Sequence, residues 1–280
     1  MSELEALLLG VVQGLAEFLP ISSSGHLILV PWLQNYRFLL DHDSFNKTFD
    51  VALHAGTLIA AAGYFRAEVA LYLRAFFRSA RKKAIEGTDE TVAWAIAVGT
   101  VPAVIFGGLG ESFFEDHAGK PWMIGIQLIV FGALLLWADS LPERRQVDQL
   151  RIRDGLLIGF AQVLALFPGT SRSGATITTA RYLGLDRESS AKVSFLLLIP
   201  VVFGATVYKS AQTIRDGLPS GVAGPMIVGT IAAAVTGYVV ISFLLRYVQT
   251  HSYKPFVWYR FAAGAAVLIV IATGIREPTF

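Results

Sequence analysis

Five long stretches of this chain carry no charge at all: 92–110, 121–138, 155–171, 193–208 and 217–245, with shorter uncharged runs at 51–65 and 261–275. About 20 consecutive apolar residues are needed for a helix to cross a bilayer. Only helices and closed barrels satisfy their backbone groups in hydrocarbon. Runs of this length therefore predict an all-α, polytopic membrane protein. Charged residues make up 16% of the 280 and hydrophobic ones 54%, whereas soluble domains carry roughly 25% charged residues. The chain has no cysteine, which excludes thiol catalysis, disulfides and thiolate metal sites. Glu3 and Glu5 precede the first apolar run, the wrong sign for a cleavable signal peptide.

Into this apolar background are set two polar stretches. The first runs from Gln13 through Glu17, Pro20, Ser22, Ser23, Ser24 and Gly25 to His26; the second from Gln162 through Pro168, Thr170, Ser171, Arg172 and Ser173 to Gly174. At an offset of 149 residues, Gln13 falls on Gln162, Ala16 on Ala165, Phe18 on Phe167, Ser22 on Ser171, Ser24 on Ser173 and Gly25 on Gly174. A weaker echo at an offset of 130 pairs Val98-Gly99-Thr100 with Val228-Gly229-Thr230. Pro20 predicts a break after a first helix ending at Leu19. The serines behind it are N-cap residues, predicting a second short helix near 23–33. A second broken hairpin is expected at 155–183.

Each half thus reads as one re-entrant hairpin plus about three crossings: 51–65, 92–110 and 121–138, then 193–208, 222–245 and 258–275. The expected repeats are about 1–140 and 155–280 of a single membrane domain, 1–280. An odd number of crossings inverts one repeat relative to the other, the plan of many transporters. Arg66, Arg74, Arg78, Arg81, Lys82 and Lys83 cluster in 66–90, and Arg144, Arg145, Arg151 and Arg153 in 141–154. The positive-inside rule places both segments in the cytoplasm, and both termini then face the other side. Loop 34–50 is expected to hold Arg37, Asp41, Asp43, Lys47 and Asp50, and an outer loop Glu111, Glu115 and Asp116. His42, His117 and His251 are expected in solvated loops, and His54 as a structural histidine.

Helix N-termini starting at Ser22–Ser24 and Ser171–Ser173 present free N–H groups that suit phosphate, with Gly25 and Gly174 admitting close approach. Arg172 offers a charged fork for phosphate oxygens, and arginine at membrane depth is usually functional. Glu17 suits a divalent cation or proton transfer. His26 suits base, acid or nucleophilic chemistry. These groups together describe phosphoryl transfer inside a membrane.

Gln13-x-x-x-Glu17 with Pro20-Ile-Ser-Ser-Ser-Gly-His26, and later Pro168-Gly-Thr-Ser-Arg-Ser-Gly174, closely resemble the motifs of the undecaprenyl-diphosphate phosphatase family linked to bacitracin resistance. The resemblance extends over the whole chain. It implies hydrolysis of undecaprenyl diphosphate to undecaprenyl phosphate and inorganic phosphate in the bacterial plasma membrane. It also implies a magnesium or calcium ion, and a site open toward the periplasm. By the same resemblance Glu17, Ser23, His26 and Arg172 are catalytic, and Glu17 and Gln13 hold the metal, Gln13 standing where the family also uses Glu. Ser22, Ser24, Gly25, Ser171, Ser173 and Gly174 are expected to bind substrate. Attack by Ser23 with His26 as base, by His26 itself, or by a metal-bound water all stay open. The phosphatidic-acid type of lipid phosphatase fits poorly, because Thr178 stands where that class has a second histidine. The competing class is a flippase or phosphate-lipid transporter, which must grip phosphate but needs no nucleophile or base. Partners are then a polyprenyl diphosphate and membrane lipids, not nucleic acid, with a homodimer left open.

Overall fold

The computed structural model describes residues 1–36, 39, 43–216 and 221–278. Arg37, Asp41, His42 and residue 280 lie outside them. Every described element is helical: α1 (Glu3–Phe18), α2 (Ser23–Gln34), α3 (Asp43–Tyr64), α4 (Arg66–Lys82), α5 (Thr88–Ala118), α6 (Pro121–Asp139), α7 (Ile152–Val163), α8 (Arg172–Tyr182), α9 (Arg187–Asp216), α10 (Ala223–Tyr247) and α11 (Lys254–Ala272). Short 3₁₀ turns cover Val147–Gln149 and Leu164–Leu166.

Among the described residues five helices are long and apolar enough to cross a membrane: Thr88–Gly110, Pro121–Asp139, Arg187–Gln212, Ala223–Tyr247 and Lys254–Ala272. The protein is an integral membrane protein. The expected crossing at 51–65 belongs to α3, which is not among the five. Lys47, Asp50, His54 and Thr57 dilute this helix, and it lies against α9 and α10, which face it with protein. Asp43, Lys47 and Asp50, expected in a loop, stand in this helix. The basic segment from Arg66 is likewise a helix rather than a loop. Val69 and Tyr72 of α4 pack on the core while its arginines stay largely exposed. The outer loop expected at Glu111, Glu115 and Asp116, and around His117, is instead the last turns of α5. His251 does lie in the turn after α10.

Both broken hairpins form as predicted. A capping box starts α1, Glu5 N–H donating to Ser2 Oγ (3.2 Å) and Ser2 N–H to Glu5 Oε2 (2.7 Å). The helix stops because Pro20 drives Leu19 to extended geometry (φ −66°, ψ 141°). α2 and α8 then start from serine caps, Ser22 and Ser171.

Small residues let the helices close. α1 lies along α10, and α7 along α5. A Cβ on Gly10 would sit 2.3 Å from the Gly229 carbonyl oxygen, and one on Gly159 the same 2.3 Å from that of Gly99. Gly10 and Gly159 are related by the 149-residue offset, Gly99 and Gly229 by the 130-residue one, so each hairpin uses the same glycine contact on the other half. Backbones approach this closely in membranes because glycine removes the side chain between them. Phe18, Phe65, Phe195, Ile177 and Ile241 form the main core, which brings α1, α8 and α9 together below the hairpin tips.

Candidate functional site

The tips at 19–23 and 167–172 meet inside the protein. Ser22 (φ 79°, ψ 93°) and Ser171 (φ 72°, ψ 115°) share one backbone conformation on the left-handed side. It is uncommon for any residue but glycine, and such strain collects at functional sites. Each serine oxygen caps its own helix, taking Gly25 N–H (3.3 Å) and Gly174 N–H (3.0 Å) respectively. Ser22 Oγ also takes Gly169 N–H from the opposite tip (3.1 Å). Ser173 Oγ donates to Leu19 O (3.0 Å), making the reciprocal link.

Arg260 of α11 binds both tips at once. Its guanidinium is fully buried and donates to Pro20 O (3.1 Å), Gly169 O (3.1 Å), Thr170 O (3.0 Å) and Leu128 O (3.1 Å). Among the described residues its hydrogen-bond partners are all backbone carbonyls. A Cβ on Gly174 would stand 2.8 Å from Arg260 Nη1, and one on Gly25 3.1 Å from Ile124 Cγ2.

Beside the tips lies an ionic cluster. Glu17 is 4% exposed. Its Oε2 accepts from Ser23 Oγ (2.5 Å) and Gln13 Nε2 (3.1 Å), and its Oε1 from Arg172 Nε (3.3 Å), with Arg172 Nη2 also 3.3 Å away. Arg172 Nη1 donates to Ser194 O (2.8 Å), which aims the fork. His54 Nε2 lies 3.6 Å from Glu17 Oε2. Its Nδ1 is bonded to Asp50 O (2.7 Å); a carbonyl only accepts, so Nδ1 carries the hydrogen. Gln13 Oε1 is buried with no hydrogen-bond partner, and neither polar side-chain atom of Gln162 has one. Buried polar atoms are rarely left so, and an orphaned acceptor next to a carboxylate marks a place for a donor or a cation.

His26 points elsewhere. Nδ1 donates to Ser22 O (2.7 Å), and Nε2 meets the Tyr259 hydroxyl (2.7 Å), with the two rings stacked at 5.6 Å. By this geometry the partner of the Ser23 hydroxyl is Glu17, not His26.

The family model for the bacitracin resistance protein BacA matches residues 6–266. The chain belongs to this family. Among its relatives, proteins called undecaprenyl-diphosphatase occur in Geobacter sulfurreducens, 46% identical over 270 residues that cover 96% of this chain and 98% of that one; in Pelotomaculum thermopropionicum, 42% identical over 274 residues, covering 97% and 98%; and in Rubrobacter xylanophilus, 40% identical over 270 residues, covering 96% and 98%.

In this BacA-family chain the structure brings together Gln13, Glu17, Ser23 and Arg172, and sets His26 on the α11 side of the same tip. Ser22, Ser171, Ser173, Gly25 and Gly174 all stand at the two tips: Ser22 and Ser173 link them, Ser171 caps α8, and the glycines leave room for Ile124 and Arg260. Ser24 stands half-buried at the start of α2. The sequence reading missed His54, treated as structural, and also Tyr259 and Arg260. Arg260 carried a usable signal, since it opens the uncharged run 261–275 just as Arg172 interrupts one. His54 carried none, because only packing turns that face of α3 toward Glu17.

Proposed function

We propose that this protein is a phosphatase of undecaprenyl diphosphate in the bacterial plasma membrane, releasing inorganic phosphate and returning the monophosphate carrier for cell-wall synthesis. The observation that carries it is the Glu17–Ser23–Arg172 cluster held between two helix N-termini. α2 and α8 both direct free N–H groups and the positive ends of their dipoles at this point, and the curated relatives bear the matching name. Arg172 grips the terminal phosphate, and its Nη2 meets Glu17 through charge alone, so it is free to turn to a phosphate oxygen. Ser23 Oγ attacks the terminal phosphorus while its proton passes to Glu17 Oε2, which already accepts it. The bridging P–O bond breaks, and undecaprenyl phosphate leaves. Water then cleaves the phosphoserine: Glu17 returns its proton to Ser23 Oγ as the Oγ–P bond breaks, and the protons of the water leave with the inorganic phosphate. His26 is the alternative base or nucleophile, and it must first part from Tyr259.

The donor set fits a magnesium or calcium ion. Glu17 and the unpartnered Gln13 Oε1 are hard oxygen ligands, and such ions complete their shells with phosphate and water. Bound there, such an ion would be held by Glu17 and Gln13 and would neutralise charge on the diphosphate.

The site faces the periplasm, the halves are inverted repeats, and both termini are periplasmic. α3, with 22 residues, is about 33 Å long and completes the third crossing of the first half under protein cover. The same reciprocal glycine contacts favour a transporter as second reading. Purified protein in detergent, given a polyprenyl diphosphate and magnesium, releases inorganic phosphate, and excess chelator abolishes it. Release untouched by chelator would remove the metal from Glu17 and Gln13. No release from any prenyl diphosphate would put the transporter reading first.

A further inference from the structure

Ser23 Oγ and Gln13 Nε2 bring hydrogens to Glu17 Oε2, and Arg172 brings one to Oε1. His54 is the exception in this cluster. Its Nδ1 hydrogen goes to Asp50 O (2.7 Å), so neutral His54 turns the lone pair of Nε2 toward Glu17 Oε2, 3.6 Å away. That separation is too long for a hydrogen bond. Gln13 Oε1, buried and without a partner, adds a further acceptor beside the carboxylate. The spacing of these groups is set by the helices that carry them. α1 and α3 both lie on the same part of α10: a Cβ on Gly14 would sit 2.8 Å from Ala233 O, and one on Gly56 2.3 Å from Thr230 O. Thr230 Oγ1 also donates to Ala52 O (3.0 Å), so α3 is tied to α10 on both sides of His54. The His54 side chain is 29% exposed against 4% for Glu17, which leaves the pair open to a small ion from the histidine side.

We infer that His54 Nε2 is a third ligand, with Glu17 and Gln13, for a divalent cation, and that this nitrogen selects a first-row transition ion over magnesium or calcium. The inference rests on the cation reading given above and adds to it a ligand and a chemical class. A metal-binding imidazole characteristically donates its other ring N–H to a carbonyl or carboxylate, which fixes the tautomer and aims the ring. Asp50 O has that place here. Two atoms bonded to one ion at about 2.1 Å stand roughly 3–4 Å apart, the range in which Oε2 and Nε2 already lie. Magnesium and calcium take oxygen ligands, whereas imidazole suits first-row divalent ions. A second proton on His54 would also bridge Nε2 to Glu17, as an ion pair, but it would leave Gln13 Oε1 without a partner. Gln13, a neutral amide where relatives also use a carboxylate, lowers the negative charge of the set, and a neutral nitrogen ligand compensates by its softness rather than by charge.

Manganese is the probe, because its spin reports its ligands without any turnover. The full chain in detergent, carrying no histidine tag, is titrated with manganese and, in competition, with magnesium. The parent should bind manganese about tenfold more tightly than magnesium, and pulsed electron paramagnetic resonance of the bound ion should show coupling to an imidazole nitrogen. His54→Gln keeps a side chain of similar size and offers oxygen instead. It should lose the nitrogen coupling and about tenfold of the manganese affinity, with magnesium affinity unchanged. Coupling that persists in His54→Gln, or an equal loss for both ions, overturns the assignment. The parent alone is decisive if the variant does not fold: bound manganese without nitrogen coupling overturns the His54 ligand and leaves the cation at Glu17 and Gln13 standing. Binding of neither ion sinks both. Nitrogen coupling lost in His54→Gln, in a protein that releases no phosphate from any prenyl diphosphate, supports the ligand and sinks only the phosphatase reading.

Discussion

Replacing Arg260 by methionine keeps the length and apolar volume of the side chain and removes its fork. Three tip carbonyls, on Pro20, Gly169 and Thr170, lose N–H partners that now lie 3.0–3.1 Å away. Each buried acceptor left unpaired costs about 1–3 kcal/mol, so the tips alone would lose roughly 3–9 kcal/mol. Removing a buried cation with no carboxylate beside it returns part of this, and breaking a buried charged network costs about 3–5 kcal/mol in practice. We take about 4 kcal/mol as the expected loss. At about 2–4 °C per kcal/mol for chains of this size, the melting temperature in detergent should fall by roughly 10 °C. Turnover should fall as well, because both helix N-termini are set by the same carbonyls. Arg260→Lys should recover only part of the loss, since an ammonium has three donors and no planar fork. Thermal unfolding followed by tryptophan fluorescence measures the first effect and phosphate release the second. An Arg260→Met protein within 1 kcal/mol of the parent, with full turnover, would refute the idea that this residue joins the tips.

Arg172→Lys keeps the charge but not the two-point grip, and turnover should drop by a factor corresponding to about 2–4 kcal/mol; near-normal turnover in a folded variant would make Arg172 structural. Ser23→Ala should abolish most turnover, whereas Ser171→Ala should mainly raise KM and cost about 1 kcal/mol of stability as a lost helix cap, and equal damage to turnover would sink the choice of Ser23 as nucleophile. Gly159→Leu should destabilise by at least about 1–3 kcal/mol, because its Cβ meets the Gly99 carbonyl. Gly63→Ala, with nothing within 4 Å of the added carbon, should not destabilise, and chemical denaturation of the pair checks the contrast.

The sequence by itself determined what is local or set by solvent. Uncharged runs must find hydrocarbon, Pro20 must end α1, and serines must cap the helices that follow, so both broken hairpins and most long helices could be read before any packing was known. Identical residues at a fixed offset showed that the two tips share one construction. What only the tertiary structure decided is which groups meet. Glu17 and Arg172 are 155 residues apart and touch because α1 and α8 cross beneath a common core. His54 joins them because α3 turns that face inward, a matter of how the helix packs against its neighbours. Arg260 reaches two loops that lie 149 residues apart in sequence, at Pro20 and Gly169, only after all three are assembled. The serines show the difference most directly. Their place as caps follows from their own backbone, but whether their oxygens face phosphate or the opposite hairpin depends on how far apart the tips come to rest. Gly25 and Gly174 let them come close enough to bond to each other.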